Sequence, residues 1–403
     1  MKDLFTRPAA ITAIALEVNK TVVSSHHQNP SLFEEDEPYL EYGTGVEREE
    51  TASDEEIIEP FDTSLIRVET KPSTIDLLLQ RIRFNEIDLA PDFQRKAGIW
   101  KESAQSRLIE SLLIRVPLPA FYMDATNEEK WLVVDGLQRL TALKRFCLDM
   151  TLRLTGLEFL VQHHKKTYED LPRNFQRRIL ETQVTVYLIE QGTPPEVKFN
   201  IFKRINTGGL PLSPQEIRHA LNHGQVRNYL AHLADSKEFK VATNYSIRDE
   251  RMADRECVLR FLAFTMTPYT QYKSKDLDSF LNDSMHNLNR MPPDGLRELE
   301  RQFQRSMAAA HHIFGKKAFR KPTKGVHAPI NKALFESWSV NLNRLSDDEI
   351  TALIGKSGEL YERFVRLMDD WEFNKSVSIS TGNAKTIRNR FSGVANIIRE
   401  TLS

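Results

Sequence analysis

The stretch that decides the fold of this chain reads Trp131-Leu132-Val133-Val134-Asp135-Gly136-Leu137-Gln138-Arg139-Leu140-Thr141-Ala142-Leu143. Its first four residues are apolar and predict a short buried strand, which the Asp135-Gly136 pair ends. Leu137, Leu140 and Leu143 then recur at helical spacing. The sequence therefore predicts a strand-to-helix turn with polar side chains gathered at the turn.

This turn is a candidate phosphate-binding site. The first backbone N–H groups of a helix have no acceptor inside it, and the helix dipole favours negative charge there. Gly136 permits close approach of the backbone, Arg139 offers a fork of N–H donors, and Asp135 suits Mg²⁺ or a ribose or base hydroxyl. The alternative is a plain tight turn with Arg139 on a solvated helix face. The local pattern favours the two equally.

Length and composition bound the class of protein. A chain of 403 residues favours two domains. A mean hydropathy of −0.45, without an apolar run near the ~20 residues of a membrane span, predicts a soluble protein with no membrane partner. No secretory signal is evident, and the distant Cys147 and Cys257 favour buried thiols over a disulfide or zinc site. These features together predict a cytoplasmic location.

The charge is unevenly distributed. Residues 34–62 hold thirteen acidic residues and one basic residue, Arg48, so this segment carries −12 and the remainder of the chain +11. Acidic segments poor in aromatic residues usually stay solvated, so residues 1–62 are predicted to form a disordered extension. The other interpretation is that the extension imitates nucleic acid and covers a basic site or docks on a partner.

The chain beyond the extension divides into two parts. Residues 63–224 mix strands, such as 120–123, 131–134 and 183–189, with helices, one opened by Ser73 and another by the capping box Ser213-Pro214-Gln215-Glu216. Residues 225–403 carry long helical periodicities. The predicted class is therefore α+β, a part that mixes strands and helices followed by a mostly α-helical domain.

Three further stretches have both functional and structural interpretations. Arg204, Asn206 and Gly208 fit a phosphate or nucleotide contact, although two adjacent glycines more often only reverse the chain. The stretch from Phe93 through Gln94 and Arg95 to Trp100 fits an aromatic and arginine platform for a base, or else core and salt-bridge residues. The basic loop 316–324 fits contact with nucleic-acid phosphates, or simple solvation.

Several separated motifs resemble the amino-terminal domain family of GmrSD-type modification-dependent restriction endonucleases. They are Pro91-x-Phe93-Gln94-Arg95 with Trp100, Leu108-Ile109-Glu110-Ser111-Leu112-Leu113 with Pro117-x-Pro119, Asp135-Gly136-Leu137-Gln138-Arg139-Leu140-Thr141-x-Leu143, and Phe202-x-x-Ile205-Asn206-x-Gly208-x-x-x-Leu212-Ser213-x-x-Glu216-Ile217. The resemblance runs from about Ser64 to Leu221. It implies a ParB/sulfiredoxin-like fold for residues 63–224, with a small mixed sheet and its helices.

The resemblance also implies roles for particular residues. The family's Asp-Gly-Gln-Gln-Arg element implies binding and hydrolysis of a nucleoside triphosphate (NTP) with Mg²⁺, or a ParB-like nuclease site. The catalytic roles then fall on Asp135, Gln138 and Arg139, with Asp135 also as the metal ligand. The implied nucleotide contacts are Gln94, Arg95, Glu110, Gly136, Arg204, Asn206 and Gly208. Leu137 replaces the first glutamine, which matters if that position touches the nucleotide and is harmless if it faces the core.

The leading hypothesis is an NTP-dependent sensor or switch in a prokaryotic anti-phage or restriction-type defence system, controlling DNA binding or a partner nuclease. Many relatives carry a His-Asn-His nuclease domain, and no such constellation occurs near this C-terminus. The alternatives are a non-enzymatic DNA-binding or protein-interaction module and a ParB-like nuclease that cuts DNA itself. NTPase or nuclease activity and homo-oligomer formation stay open at this point.

Overall fold

The protein is described here from a computed structural model covering residues 45–47, 49, 67–89, 100–205, 212–274, 276–323, 328–379 and 381–403. All of these residues belong to one compact unit, Pro38–Ser403. Gln94, Arg95, Asn206 and Gly208, four of the predicted nucleotide contacts, lie outside the described residues.

A five-stranded mixed sheet forms the first part, with strand order β1-β5-β3-β4-β2. The outer pair β1/β5 and the central pair β3/β4 are antiparallel, whereas β3/β5 and β2/β4 are parallel. The strands are β1 (Val68–Thr74), β2 (Ile87–Asp88), β3 (Phe121–Asp124), β4 (Trp131–Asp135) and β5 (Gln183–Ile189). The predicted small mixed sheet is therefore confirmed.

Helices cover both faces of this sheet. They are α1 (Ile75–Arg83), α2 (Glu102–Leu113), α3 (Leu137–Cys147), α4 (Arg173–Glu181), α5 (Pro195–Ile205) and α6 (Pro214–Leu221). Trp131 and Val133 of β4 pack into the core shared with α1 to α4, and Leu132 and Val134 pack on the opposite face with α5 and α6. Burial on both faces explains why this strand is a continuous apolar run.

The second part is mostly helical, as the sequence predicts. Its helices are α7 (Gln225–Asp235), α8 (Lys237–Ala242), α9 (Ala253–Met266), α10 (Leu277–Arg290), α11 (Pro293–Phe314), α12 (Lys332–Asn343), α13 (Asp347–Gly355), α14 (Ser357–Asp369), α15 (Trp371–Ser378) and α16 (Ala384–Leu402). They enclose a separate apolar core, within which Phe261, Phe303, Phe335 and Trp338 are buried.

Part of the predicted extension is packed against this helical part. Val46 is 0% exposed and belongs to the helical core. The neighbouring Glu47 and Glu49 form ion pairs with Lys321 and Arg260. These four described residues of the extension are therefore packed and ion-paired, and the prediction for the rest of residues 1–62 lies outside the described residues.

The predictions about the two cysteines and about membrane spans can also be compared with the structure. Cys147 and Cys257 are both buried free thiols, and burial raises the pKa of Cys147 to about 12. Within the described ranges, every helix is too short or too polar to span a bilayer.

Candidate functional site

The predicted turn forms as a strand end followed directly by a helix start. β4 ends at Asp135, and α3 begins at Leu137 with Gly136 as its N-cap. Gly136 has φ +100°, a left-handed conformation that strains other residues. A Cβ at this position would lie 2.4 Å from the Phe121 ring. Glycine is therefore required here by both the backbone conformation and the packing.

Arg139 faces inward at this turn and is only 7% exposed. Its Nη2 donates to Asp135 Oδ2 at 2.8 Å and to the Ala120 carbonyl at 3.2 Å, and its Nη1 donates to the Pro119 carbonyl. The guanidinium also lies over the Phe121 ring. Burial lowers the pKa of Arg139, and Asp135 partly offsets this effect. The arginine thus ties together the turn and the start of β3.

Asp135 is the more accessible member of this ion pair, with 30% of its side chain exposed against 9% for Arg139. Arg139 holds the carboxylate through Oδ2. The arrangement presents an oriented carboxylate at the N-terminus of α3, where no side chain of the N-cap residue caps the helix. Of the two residues that precede α3, Asp135 is therefore partly exposed, whereas Gly136 is buried against the Phe121 ring.

Gln138 connects this turn to the chain that follows the Phe93–Arg95 motif. Its Oε1 accepts a hydrogen bond from the Trp100 backbone N–H at 3.2 Å. The Trp100 carbonyl in turn accepts from Gln105 Nε2 at 2.6 Å. Two of the sequence motifs thus meet in space at Trp100 and Gln138.

Leu137 is 8% exposed and belongs to the core on the α1 to α4 side of the sheet. The position that departs from the family element therefore faces the protein interior. Of the two readings of Leu137, the structure favours the harmless one.

Glu110, one of the predicted nucleotide contacts, lies on α2 and binds the protein's own backbone. Its carboxylate is buried and accepts backbone N–H bonds from Glu158, Phe159 and Leu160 at 2.9, 2.8 and 2.7 Å. Burial opposes its ionisation, but these donors together with Arg107 outweigh burial and lower the pKa of Glu110. The contacts of Glu110 therefore hold the 158–160 loop.

Arg204 is exposed on the last turn of α5. Its neighbour Lys203 donates to Asp278 Oδ2 at 3.1 Å, and Asp278 Oδ1 accepts from Arg218 at 2.7 Å. Arg218 lies on α6 and Asp278 on α10, so these ion pairs join the end of α5 to the helical part. The end of α5 that carries Arg204 thus lies at the junction of the two parts.

Sequence reasoning did not single out two tyrosines beside the turn. Tyr122 lies opposite Asp135 in the β3/β4 pairing and stacks on Tyr187 with ring centroids 4.8 Å apart. Partial burial, Tyr187 and Asp135 raise the pKa of Tyr122. Strand alternation alone would have placed Tyr122 on the sheet face opposite Phe121, but only the strand order brings Tyr187 next to it.

Residues 75–222 match the family described as GmrSD restriction endonuclease, N-terminal domain. The chain contains a GmrSD-type N-terminal domain. This GmrSD-type domain spans α1 to the end of α6 and includes the Asp135–Arg139 turn, Glu110 and Arg204. No curated protein sequence matches the chain.

Proposed function

We propose that the GmrSD-type domain binds an NTP at the Asp135–Arg139 turn and serves as a nucleotide-dependent switch in a restriction-type defence system. In this proposal its state controls DNA binding or a partner nuclease. The observation that carries the proposal is the partly exposed, oriented carboxylate of Asp135 at the N-terminus of α3, which no side chain caps. Phosphate and metal-bound phosphate are the ligands that such a combination suits.

The contacts at the turn suggest a different role for each of its residues in ligand binding. Asp135 and the first N–H groups of α3 would meet the ligand, and Gly136 supplies the left-handed backbone that joins β4 to α3 beside the Phe121 ring. Arg139 positions Asp135, because its guanidinium already donates to Asp135 and to two backbone carbonyls. The direct role of Gln138 in hydrolysis stays a prediction, and its observed bond to Trp100 supports a role in placing the motif that precedes it.

Mg²⁺ fits this site as an ion that arrives with the nucleotide. Among the described residues, no three His, Cys, Asp or Glu side chains group closely enough to hold a metal by themselves. Mg²⁺ is commonly held by one or two carboxylates together with substrate phosphates and water. Asp135 would supply that carboxylate, and the ion would neutralise phosphate charge.

The switch part of the proposal is supported by the ion pairs at the junction. Lys203 at the end of α5 pairs with Asp278 of α10, and Arg218 pairs with both Asp278 and Glu256. A displacement of the end of α5 would therefore act on charged groups of the helical part. A thermodynamic test is required, because contiguity alone does not establish coupling.

The test is a thermal-shift screen of the full chain with ATP, GTP, CTP and UTP, each with and without Mg²⁺. A ligand at a hundredfold excess over Kd raises stability by about 2.7 kcal/mol. We expect one nucleotide to stabilise the wild type, Asp135→Asn to weaken its binding at least tenfold, and the exposed control Asp149→Asn to leave it unchanged. Absence of any nucleotide effect, or equal binding by Asp135→Asn, would refute the proposal. Phosphate release then separates hydrolysis from binding.

A second candidate is a DNA-binding or protein-interaction module that uses no nucleotide. The inward position of Arg139 favours it, because this arginine serves the fold. Its signature is DNA affinity that falls steeply with salt and ignores added NTP. Incubating the same protein with modified and unmodified plasmid plus Mg²⁺ tests direct cleavage by a ParB-like nuclease site.

A further inference from the structure

Residues 45–47 and 49, here termed the strap, occupy a groove of the helical part. Val46 forms a parallel bridge with Ile330. The Glu47 N–H donates to the Ile330 carbonyl at 2.8 Å, and the Ile330 N–H donates to the Gly45 carbonyl at 3.1 Å. This is the main-chain pairing by which proteins bind an extended peptide.

The groove selects small and apolar residues at the start of the strap. Gly45 has φ +78°, and a Cβ there would lie 1.9 Å from the carbonyl oxygen of Ser246. The next side chain, Val46, is fully buried in the helical core. Position 45 therefore requires glycine, and position 46 fills an apolar pocket.

The groove also selects acidic residues further along. The Glu47 carboxylate accepts from Lys321 Nζ at 2.6 Å and from Asn331 Nδ2 at 3.0 Å. The Glu49 carboxylate accepts from Arg260 Nη1 at 2.8 Å and from the Thr381 hydroxyl at 2.7 Å. These donors come from four separate positions of the helical part, so the groove recognises two acids with one residue between them.

Arg260, which binds Glu49 of the strap, has other carboxylate partners within the helical part. Arg260 also pairs with Glu256 at 2.8 Å and with Glu336 at 3.3 Å. Departure of Glu49 would therefore leave Arg260 with two carboxylate partners. The strap acids lie at the rim, where the side chains of Glu47 and Glu49 are 21% and 24% exposed.

We propose that this groove is a recognition site for an extended acidic segment of the pattern Gly-Val-Glu-x-Glu, which the chain fills with its own strap as an exchangeable ligand. The proposal is independent of nucleotide binding. It assigns to the helical part a peptide-binding surface and to the acidic extension a specific docking point.

The test uses a fluorescein-labelled peptide with the sequence of residues 43–50 and the full-length variant Gly45→Val. This variant should release its own strap, because the added side chain meets Ser246. We expect the peptide to bind Gly45→Val at least tenfold more tightly than wild type in fluorescence anisotropy. A control peptide with glutamine at positions 47 and 49 should bind at least tenfold more weakly. A folded Gly45→Val that binds neither peptide, or both equally, overturns the proposal.

A second measurement on the wild type covers the case in which Gly45→Val does not fold. Trypsin can cleave after Arg48, which lies between the two docked acids in sequence. Excess unlabelled peptide with alanine in place of its own arginine, which trypsin cannot cut, should accelerate that cleavage at least threefold by displacing the strap, and the glutamine peptide with the same alanine should not. If cleavage is equally slow with either peptide, the strap is a fixed part of the core and the proposal fails.

Discussion

Asp135 and Arg139 form an ion pair with Nη2 and Oδ2 2.8 Å apart, in which the arginine is buried and the aspartate remains partly exposed. The sequence assigned both residues to the same candidate site, whereas the structure gives them different degrees of burial. Arg139 holds the turn from inside, and Asp135 keeps 30% of its side chain exposed. Loss of either residue should therefore have different consequences.

Arg139→Ala should destabilise the fold by about 2–4 kcal/mol, because the Pro119 and Ala120 carbonyls lose a donor and Asp135 loses its partner. The matched control is Lys144→Ala on the same helix, whose exposed pair with Asp149 should contribute less than about 1 kcal/mol. Urea unfolding measures both. Equal midpoints for the two variants would show that Arg139 has no structural role.

Gly136→Ala should cost about 1–3 kcal/mol, because its left-handed backbone and the Phe121 ring leave no room for a methyl group. Gly358→Ala is the control, since Gly358 lies within α14 and its Cβ would meet nothing within 4 Å. Alanine there should be neutral or slightly stabilising. Thermal unfolding followed by circular dichroism distinguishes the two substitutions, and a stable Gly136→Ala would contradict the packing argument.

Glu110→Gln should destabilise the protein at neutral pH by about 1–3 kcal/mol, because a carboxylate that accepts three backbone N–H bonds is replaced by a neutral amide. The pKa of Glu110 is lowered in the folded protein, so its contribution is fully present above the unfolded value of about 4.3. That contribution is lost as the pH falls through the lower folded pKa.

The difference between wild type and Glu110→Gln should therefore shrink as the pH falls below about 4.3. Urea midpoints of both proteins, measured over a pH series, test this expectation. A difference that stays constant with pH would mean that ionisation of Glu110 does not stabilise the fold.

Glu336→Ala should cost about 3–5 kcal/mol, because it removes a buried carboxylate that pairs with both Arg260 and Arg390. Both arginines are themselves almost fully buried. Glu298→Ala, which breaks an exposed pair with Arg301, should leave the unfolding midpoint nearly unchanged. Similar effects of the two substitutions would argue against the importance of the buried network.

Much of the local structure follows from patterns within a few residues. The apolar run 131–134 forms β4, and the capping box at Ser213 is confirmed by the two reciprocal bonds between Ser213 and Glu216. The helix after β1 begins one residue later than predicted, with Thr74 as its N-cap. Ser73 instead pairs with Val184 in the sheet, a partner that lies far away in the sequence.

The sequence by itself determined the strands β3, β4 and β5, the helical second part and the location of the turn at Asp135, because hydrophobic period and turn chemistry act between near neighbours. Only the tertiary structure decided that Arg139 faces inward, that Glu110 holds a loop 48 to 50 residues away, and that Glu49 reaches Arg260 across 211 positions. The partner of a polar side chain depends on which elements pack together. The spacing of residues within one segment does not indicate which distant elements will pack against it.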